Sequence, residues 1–488
     1  MGLLLIVSLF LYAYFYQGDG WSMMAHFATI RSIVEQRTFV INPFAMETGD
    51  VSAVNGVMYS NKPPGLPLMG AVPYAAIAGV EKLVGLDVSQ WRVVRFNQYI
   101  LTVLLCAVPG TILVLMLYRW FRRDGATVRT ALLLAGAFAL GSLLWPFSGM
   151  MFNHLMSAAL LFGAWVLLDS PRRGNRDVVI ASLILGLAAM VEYLAGPLVF
   201  LYLTYDFARR RSLRRVLLLC IGPAFALAGL LAYQKLNFGN PFAPSYVYDN
   251  PLFVHKGLAI GKFHAPVWMR LYWLTYHRMR GLFVCCPMFL LPLVALLTSF
   301  QTPRLQIRAQ SVFSLAIIVY FTTFQLCYAY WTGGWGVGPR FFIPALAFLF
   351  TFARAGFERW PKISAVFIAV SIVNMLAVTA VRALYPANDV GPPQHWDPVG
   401  VCLLALVRGQ VAQGMGSYNL GMLIGLHGGW SLLPPLIVMV DAILIALFYF
   451  PGRGLNVSAS NASGSTEFAQ SRYMSPEGCK LSSATSDR

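Results

Sequence analysis

The chain has 488 residues, of which 58% are hydrophobic and only 11% charged, and its formal net charge is +17. Soluble proteins carry about 25% charged residues because their surfaces face water, so this composition excludes a soluble globular protein. Many apolar runs approach the roughly 20 residues that cross a bilayer as a helix, and such unbroken runs exclude an outer-membrane barrel. The basic residues lie in short loops between the runs, a pattern that indicates membrane orientation rather than nucleic-acid binding.

The apolar runs predict an all-α polytopic membrane protein with about twelve transmembrane helices. We place these helices near residues 3–16, 94–118, 130–147, 152–168, 178–192, 194–205, 216–234, 284–299, 311–330, 340–353, 363–381 and 431–450. Basic clusters between them predict cytoplasmic loops, with both termini inside. The clusters are Arg119/Arg122/Arg123/Arg129, Arg172/Arg173/Arg176, Arg209/Arg210/Arg211/Arg214/Arg215, Arg304/Arg308 and Arg354/Arg359/Lys362.

One further apolar segment, residues 64–84, is long enough to span the membrane but is not counted as a span. Counting it would move the basic cluster at 119–129 to the outside, against the pattern of positive inner loops. Its three prolines and three glycines also disfavour a regular spanning helix. We therefore expect a helix that lies in the outer interface or packs against the bundle, within a long first outer loop.

The long connections all fall on the predicted outer side, at residues 17–93, 235–283 and 382–430. Because the inner loops are short, the polar material and any chemistry are expected outside. Residues 1–454 form the predicted membrane domain. Residues 455–488 are rich in Ser, Ala, Gly and Asn and are expected to form a disordered cytoplasmic tail. The first apolar run has no basic region before it and no cleavage site after it, so no cleavable signal peptide is expected.

The motif GDG, residues 18–20, follows the first predicted span at the depth where a lipid head group would lie. Transfer of a sugar to a hydroxyl needs a base that takes the hydroxyl proton, and Asp19 is a candidate for that role. Taken alone, the motif is better explained as an interfacial acid that ends a helix.

A second motif, YSNKPPG at residues 59–65, lies in the same outer loop. Its prolines restrict the backbone, and its glycine allows another chain or a ligand to approach closely. Lys62 is a cation near the outer interface and is suited to a phosphate oxygen. A turn with a lysine that extends towards the interface is the simpler alternative.

A glycine-rich turn, WTGGWGVGPR at residues 331–340, connects two predicted spans. Its four glycines exceed what a helical hairpin needs, which indicates close backbone packing or ligand approach. Arg340 opens a span, where an unpaired charge is costly. It should therefore pair either with a lipid phosphate or with an outer acid such as Asp19 or Asp50.

Other residues are weaker candidates for substrate contact. His154 begins a predicted span on the outer side, and Glu192 lies at the outer end of another. The alternatives are a helix cap for His154 and an arginine partner for Glu192. The remaining candidates are Asp50, Tyr59, Asn61 and Trp335. No HExxH, paired-cysteine or first-loop DxD motif indicates a metal site, and no GxxxxGK[ST] motif indicates nucleotide hydrolysis.

Together, these motifs resemble the GT-C superfamily of multispan glycosyltransferases that use polyprenyl-phosphate sugars. Within it they are most similar to the branch of protein O-mannosyltransferases and lipid A aminoarabinose transferases. The resemblance covers roughly residues 1–350 and is carried by Asp19, the loop 21–58 with its NPF turn, Lys62-Pro63-Pro64 and the stretch GGWGVGPRFFIPALAF. Protein mannosyltransferases have an Asp-Glu pair where this chain has Asp19 and Gly20. The second-loop acid of many relatives is also unmatched, and Asn153 or His154 lies near its position.

The resemblance implies an inverting, metal-independent hexosyl- or pentosyltransferase whose active site faces the periplasmic side of the inner membrane. Asp19 would be the base, and Lys62 and Arg340 would bind the donor phosphate. The implied partners are a polyprenyl-phosphate sugar, a glycan, lipid or protein acceptor, and membrane lipids, with no cofactor, metal or nucleic acid.

Three alternatives to this interpretation stay open. One is a transporter or flippase for lipid-linked sugars, which would need a polar pathway through span centres that carry few charges. Another is a glycan polymerase or ligase with a lipid-diphosphate donor. The last is a non-catalytic scaffold, which the missing second acid allows.

Overall fold

A computed structural model describes residues 1–170, 174–251, 262–278, 280–302, 304–334, 336–384, 397–409 and 416–450. The predicted tail 455–488, Trp335, Arg172 and Arg173 lie outside these residues, as do parts of the predicted loops 235–283 and 382–430. The described chain is predominantly helical, as the sequence predicts, and its strands are short.

The first half of the chain contains the helices that build one side of the cavity described below. They are α1 (Gly2–Tyr14), α2 (Trp21–Glu35), α3 (Gly65–Leu83), α4 (Trp91–Thr102), α5 (Val108–Arg123), α6 (Val128–Gly141), α7 (Leu144–Ser148), α8 (His154–Asp169), α9 (Asn175–Val191), α10 (Ala195–Arg210) and α11 (Leu213–Phe238). A π-helical turn, Val103–Ala107, joins α4 and α5 into one helix of 33 residues.

The second half contains shorter and more interrupted helices. They are α12 (Met269–Thr275), α13 (Leu282–Cys285), α14 (Leu290–Ser299), α15 (Leu305–Cys327), α16 (Ile343–Phe350), α17 (Ala353–Arg359), α18 (Pro361–Ala380), α19 (Pro398–Val407), α20 (Leu420–Leu423) and α21 (Leu433–Leu444). Single turns of 3-10 helix lie at Asn42–Glu47, Ser245–Tyr248, Pro287–Phe289, Arg340–Phe342 and Gly428–Leu432, and a π-helical turn, Ile445–Tyr449, extends α21.

A helix lies at each predicted span, but the helices differ in length. Within the described residues, five helices are long and apolar enough to cross a membrane: Trp91–Arg123, Leu213–Phe238, Ile307–Cys327, Pro361–Ala380 and Gly428–Tyr449. A sixth results if Arg340–Phe350 and Ala353–Arg359, bent by 61° at their junction, form one span. The chain is therefore an integral membrane protein, and the predicted count of about twelve spans is not confirmed. Proline explains one interruption, because Pro287 forces Cys286 out of helical geometry within the predicted span 284–299.

Close contacts and hydrogen bonds between helices hold the bundle together. Within lipid, apolar burial does not favour helix association, so tight packing and interhelical hydrogen bonds take its place. Tyr12 of α1 donates from its hydroxyl to the carbonyl of Ala139 in α6 at 2.9 Å. A Cβ on Gly186 of α9 would lie 2.3 Å from the carbonyl oxygen of Gly222 in α11, so only glycine permits this approach.

The segment expected outside the span count, residues 64–84, forms helix α3 with Pro73 inside it. It packs along α2, and its first residue lies against the end of α9. Among the described helices, α3 is not one of those with the length and hydropathy of a span. Packing against the bundle agrees with the expectation from the sequence, and its depth relative to the membrane stays a prediction.

A cluster of charges stabilises the end of the bundle where the basic residues lie. Asp169, at the end of α8, is fully buried and accepts hydrogen bonds from Tyr205 at 2.6 Å and from Gln310 at 3.0 Å. It also forms ion pairs with Arg209 and Arg123. A buried carboxylate is tolerated only when it is paired in this way, and its partners fix α5, α8, α10 and α15 relative to one another.

Candidate active site

A cavity of about 1800 Å³ opens where the first long loop meets the ends of several helices. The charged side chains along its wall are Asp19, Asp50, Lys62, His154, Glu192, Asp249, Lys262, Arg340 and Arg382. Aromatic rings and prolines make up much of the remaining wall. The three motifs identified in the sequence, represented by Asp19, Lys62 and Arg340, therefore meet in one cavity.

The cavity and a predicted inner cluster lie at opposite ends of α15. Cys327, the last residue of this helix, lines the cavity, whereas Arg304 precedes its first residue. An α-helix of 23 residues is about 35 Å long, which exceeds the roughly 30 Å of a hydrocarbon core. The cavity and Arg304 are therefore far enough apart to lie on different sides of a membrane.

Asp19 lies between the first two helices and forms an ion pair that the sequence did not predict. After α1, strand β1 (Phe15–Tyr16) pairs antiparallel with a short strand at Tyr418–Asn419. Gln98 of α4 donates to the carbonyl of Gly18 at 2.9 Å, and Arg95, one turn earlier, lies 2.5 Å from the Asp19 carboxylate. The Asp19 side chain is still 63% exposed. The segment RVVRFNQ, which places polar residues at the start of an otherwise apolar span, is the feature of the sequence that could have identified this partner.

A β-hairpin places Lys62 beside Asp50. Strands β2 (Val51–Val54) and β3 (Val57–Ser60) pair antiparallel. The Asn55-Gly56 turn between them has positive φ at both residues, a conformation that this dipeptide favours. The residues just before and just after the hairpin are therefore neighbours, and Lys62 Nζ lies 2.8 Å from Asp50 Oδ2. Both side chains are largely buried, so the lysine reaches the cavity with its charge already partly balanced.

A second lysine, Lys262, is paired in the same wall and was not singled out by the sequence. It forms a buried ion pair with Asp249, and Asn61 donates to the other oxygen of that carboxylate at 2.8 Å. Lys262 Nζ also lies 5.1 Å from the ring centroid of Tyr246. Burial raises the pKa of Tyr246 well above its ordinary value of 10, so this phenol stays neutral. The cluster joins the loop after α11 to the first outer loop.

His154 and Glu192 form a buried pair at the junction of two helices. His154 is the first residue of α8 and Glu192 follows the last residue of α9, and His154 Nδ1 lies 3.0 Å from Glu192 Oε1. Glu192 therefore has a histidine partner and not the arginine considered from the sequence. Both side chains line the cavity.

Arg340 has no carboxylate within ion-pair distance in the described chain, in contrast to Lys62 and Lys262. Asp19 and Asp50, the acids that the sequence offered as partners, pair with Arg95 and Lys62 instead. The guanidinium carbon of Arg340 lies 4.4 Å from the ring centroid of Phe152, and its Nε has no hydrogen-bond partner among the described residues.

The glycine-rich turn is held by a buried arginine from the preceding loop. The Arg280 guanidinium donates to the carbonyls of Gly334 and Gly336. Burial lowers the pKa of Arg280 from 12.5 to about 9, so it stays charged at neutral pH. Gly333, Gly334 and Gly338 have positive φ, which explains why the turn needs glycine. This turn places Arg340 at the cavity wall.

Of the two remaining predicted contact residues, the structure describes only Tyr59. Tyr59 is buried against Phe238, with ring centroids 5.1 Å apart, and is not among the residues that line the cavity. Trp335 lies outside the described residues. Within the described part of the chain, no group of three or more His, Cys, Asp or Glu side chains is arranged to hold a metal ion. Independence from metals stays a prediction.

No protein-family model and no curated protein matches the sequence. The fold is nevertheless similar to that of solved structures of ArnT. This confirms, for the fold, the resemblance predicted from the motifs.

The solved structures with this fold include ArnT from Cupriavidus metallidurans. ArnT bound to undecaprenyl phosphate has a TM-score of 0.51 and 16% sequence identity, over 97% of this chain and 80% of ArnT. Apo ArnT has a TM-score of 0.52, also at 16% identity, over 91% of this chain and 72% of ArnT. AglB from Archaeoglobus fulgidus, in complex with an inhibitory peptide and a dolichol-phosphate, has a TM-score of only 0.44 at 12% identity, over 100% of this chain and 61% of AglB.

Proposed function

We propose that this protein is an integral membrane glycosyltransferase that moves a sugar from a polyprenyl-phosphate donor to an acceptor at the outer face of the inner membrane. The observation that carries the proposal is the convergence of Asp19, Lys62 and Arg340 on one cavity. These residues come from three distant segments, and the fold that joins them is that of ArnT, which has been solved with undecaprenyl phosphate bound.

Asp19 is the proposed base. An acceptor hydroxyl attacks the anomeric carbon of the donor sugar, the bond from that carbon to the phosphate oxygen breaks, and the hydroxyl proton passes to the Asp19 carboxylate. A single displacement of this kind inverts the anomeric centre. The ion pair with Arg95 positions the carboxylate, and its 63% exposure leaves it accessible from the cavity.

Arg340 and Lys62 are the proposed phosphate-binding cations. A planar guanidinium is suited to two phosphate oxygens at once, and Arg340 has no carboxylate within ion-pair distance in the described chain. Lys62 is held by Asp50 at 2.8 Å and adds a second donor from the facing loop. Fixed donors of this kind stabilise the negative charge that develops on the leaving phosphate.

The charge distribution supports the proposed outer location. Arg304 and Arg308 lie at the end of α15 that is remote from the cavity, and short basic loops are retained on the cytoplasmic side. The cavity then faces outwards, and the donor would enter from the outer leaflet beside α3. A hexose or pentose donor and a glycan, lipid or protein acceptor all agree with a cavity of this size.

The proposal is tested with the Asp19→Asn variant in a transfer assay. Purified protein in lipid nanodiscs would be given undecaprenyl-phosphate sugars, a panel of labelled hexoses and pentoses, together with membrane extracts as acceptors. We expect wild type to release undecaprenyl phosphate and Asp19→Asn to do so at least about 100-fold more slowly, the usual contribution of a general base.

Asp87→Asn is the matched control, because Asp87 is an exposed carboxylate in the same outer loop that does not line the cavity. It should keep wild-type activity, and both variants should unfold at the wild-type temperature. Undiminished transfer by a folded Asp19→Asn protein would remove Asp19 as the base. Movement of the labelled lipid across the bilayer of sealed proteoliposomes, without transfer, would favour a flippase.

A further inference from the structure

We infer that His154, held by Glu192, donates a proton to the phosphate as it leaves the sugar. This inference rests on the proposed function and adds a second catalytic group to it. The second-loop acid of many relatives has no match in this sequence, and the structure places this histidine–carboxylate pair in the same cavity wall.

The geometry leaves one ring nitrogen of His154 available. Nδ1 faces Glu192 at 3.0 Å, and the carboxylate accepts the proton that this nitrogen carries. Nε2 has no hydrogen-bond partner among the described residues, and the side chain lines the cavity. A histidine that exchanges protons with a ligand typically has one ring nitrogen hydrogen-bonded to a carboxylate and the other nitrogen accessible to the ligand.

The surroundings hold the imidazole in a fixed orientation. Asn153 donates to the carbonyl of Val191 at 3.3 Å, which joins the start of α8 to the end of α9. The Phe152 ring stacks on the imidazole with centroids 5.9 Å apart, and the Phe341 ring meets it edge-on at 5.4 Å. With so little freedom to rotate, Nε2 keeps one direction relative to the cavity.

The pair lies beside the proposed phosphate site. The Arg340 guanidinium packs on the face of Phe152, the same ring that stacks on His154, and Arg340 is within electrostatic range of Glu192. A phosphate bound by Arg340 is therefore next to the imidazole. Lys62 is largely balanced by Asp50, so Arg340 supplies the main uncompensated positive charge.

Charge balance gives the histidine its role. In the donor, the phosphate is a diester with one negative charge, and when the bond from the anomeric carbon to oxygen breaks, the electron pair stays on that oxygen and adds a second. Arg340 offsets one charge. A proton moved from His154 Nε2 to the departing oxygen offsets the other, and the product leaves as a monoanion. The acceptor proton, taken by Asp19, returns to the histidine through water, so each turnover is balanced.

The charged and titratable groups around His154 come from several elements. Glu192, after α9, pairs with the imidazole, and Arg340 is within electrostatic range of Glu192. His26 of α2 also interacts with His154, but burial lowers the pKa of His26 to about 3, so it is neutral near pH 7. Tyr320 of α15 interacts with Glu192. Removal of the Glu192 charge should therefore weaken proton binding at His154.

The test is the pH dependence of kcat, measured with saturating undecaprenyl-phosphate sugar in nanodiscs. An acid must be protonated, so the wild-type rate should fall on the alkaline side as His154 loses its proton. His154→Gln should be slower by about 100-fold near neutral pH and should lack this alkaline fall. Glu192→Gln keeps a hydrogen-bond acceptor but no charge, so the alkaline fall should move to lower pH.

His427→Gln is the control, because His427 is exposed and does not line the cavity, and it should keep the wild-type profile. An alkaline fall that is unchanged in His154→Gln, or that does not move in Glu192→Gln, would overturn the inference. If His154→Gln instead lacks a fall in rate on the acidic side of the pH profile, His154 acts as a base. If wild type transfers no sugar at all, the proposed function itself fails, so the two failures are distinguishable.

Discussion

Most individual charges in the cavity have an identified partner of opposite sign. Asp50 pairs with Lys62, Glu192 with His154, and Asp249 with Lys262. Pairing lowers the cost of keeping charges away from bulk water. Arg340 has no such partner within the described chain, so an anionic ligand gains most at this residue.

His26 is a buried residue close to this site whose protonation should affect stability. Both its ring nitrogens lack hydrogen-bond partners among the described residues. Burial and, next, the positive charge of Lys62 lower the pKa of His26 from 6.5 to about 3. Between these values the unfolded chain binds a proton that the folded chain does not, so the free energy of unfolding falls as pH falls, by about 1.4 kcal/mol per unit.

We expect His26→Leu to reduce this pH dependence, because leucine has no proton to gain and needs no hydrogen bond. Thermal unfolding in detergent would be followed between pH 7.5 and pH 5. The wild-type midpoint should drop over this range by more than that of His26→Leu, and the exposed control His427→Leu should behave as wild type. Equal drops in His26→Leu and wild type would show that His26 is not the group responsible.

Among the structural elements, α3 determines where Lys62 lies. The helix begins at Gly65, directly after Lys62-Pro63-Pro64, and a Cβ on Gly65 would lie 2.4 Å from the carbonyl carbon of Met190. The lysine is thus fixed on one side by the hairpin and on the other by a helix that touches the backbone at the end of α9. Because the end of α9 leads directly to Glu192, the start of α3 connects the position of Lys62 to that of Glu192.

Gly65→Ala should therefore displace the start of α3, with a loss of stability of about 1–3 kcal/mol and reduced transfer activity. Gly79→Ala in the same helix is the matched control, since a Cβ there meets no atom within 4 Å. It should leave activity unchanged and gain up to about 1 kcal/mol from helix propensity. Thermal unfolding and the transfer assay measure both, and equal effects of the two variants would contradict this account of α3.

At the scale of the whole molecule, the fold separates the cavity from the basic loops. Ser89 is exposed just before the helix that carries Arg95, at the cavity end, and Arg304 is exposed at the far end of α15. We expect Ser89→Cys to react with a membrane-impermeant maleimide in intact cells. Arg304→Cys should react only after permeabilisation, because the proposed topology puts basic loops on the cytoplasmic side.

Wild type, whose cysteines at 106, 285, 286 and 402 are buried, provides the background for this labelling. The reverse pattern, with Arg304→Cys labelled in intact cells, would place the cavity on the inner face and exclude the proposed outer reaction. Labelling of both positions in intact cells would mean that they do not lie on opposite sides of the membrane.

The sequence by itself determined the membrane class, the helical content and three motifs that lie in one cavity. These follow from local composition and periodicity, which report on the solvent around each segment. It did not determine which apolar runs form uninterrupted spans, because interruptions such as that at Pro287 depend on packing against neighbouring helices.

Only the tertiary structure decided the pairing of charges. Asp19 with Arg95, Asp249 with Lys262 and His154 with Glu192 join residues from 13 to 76 positions apart in the sequence, and no periodicity links them. A side chain's partner depends on which helix ends and loops meet in space. For the same reason, only the fold could show that Arg340, which lines the cavity, has no carboxylate within ion-pair distance in the described chain.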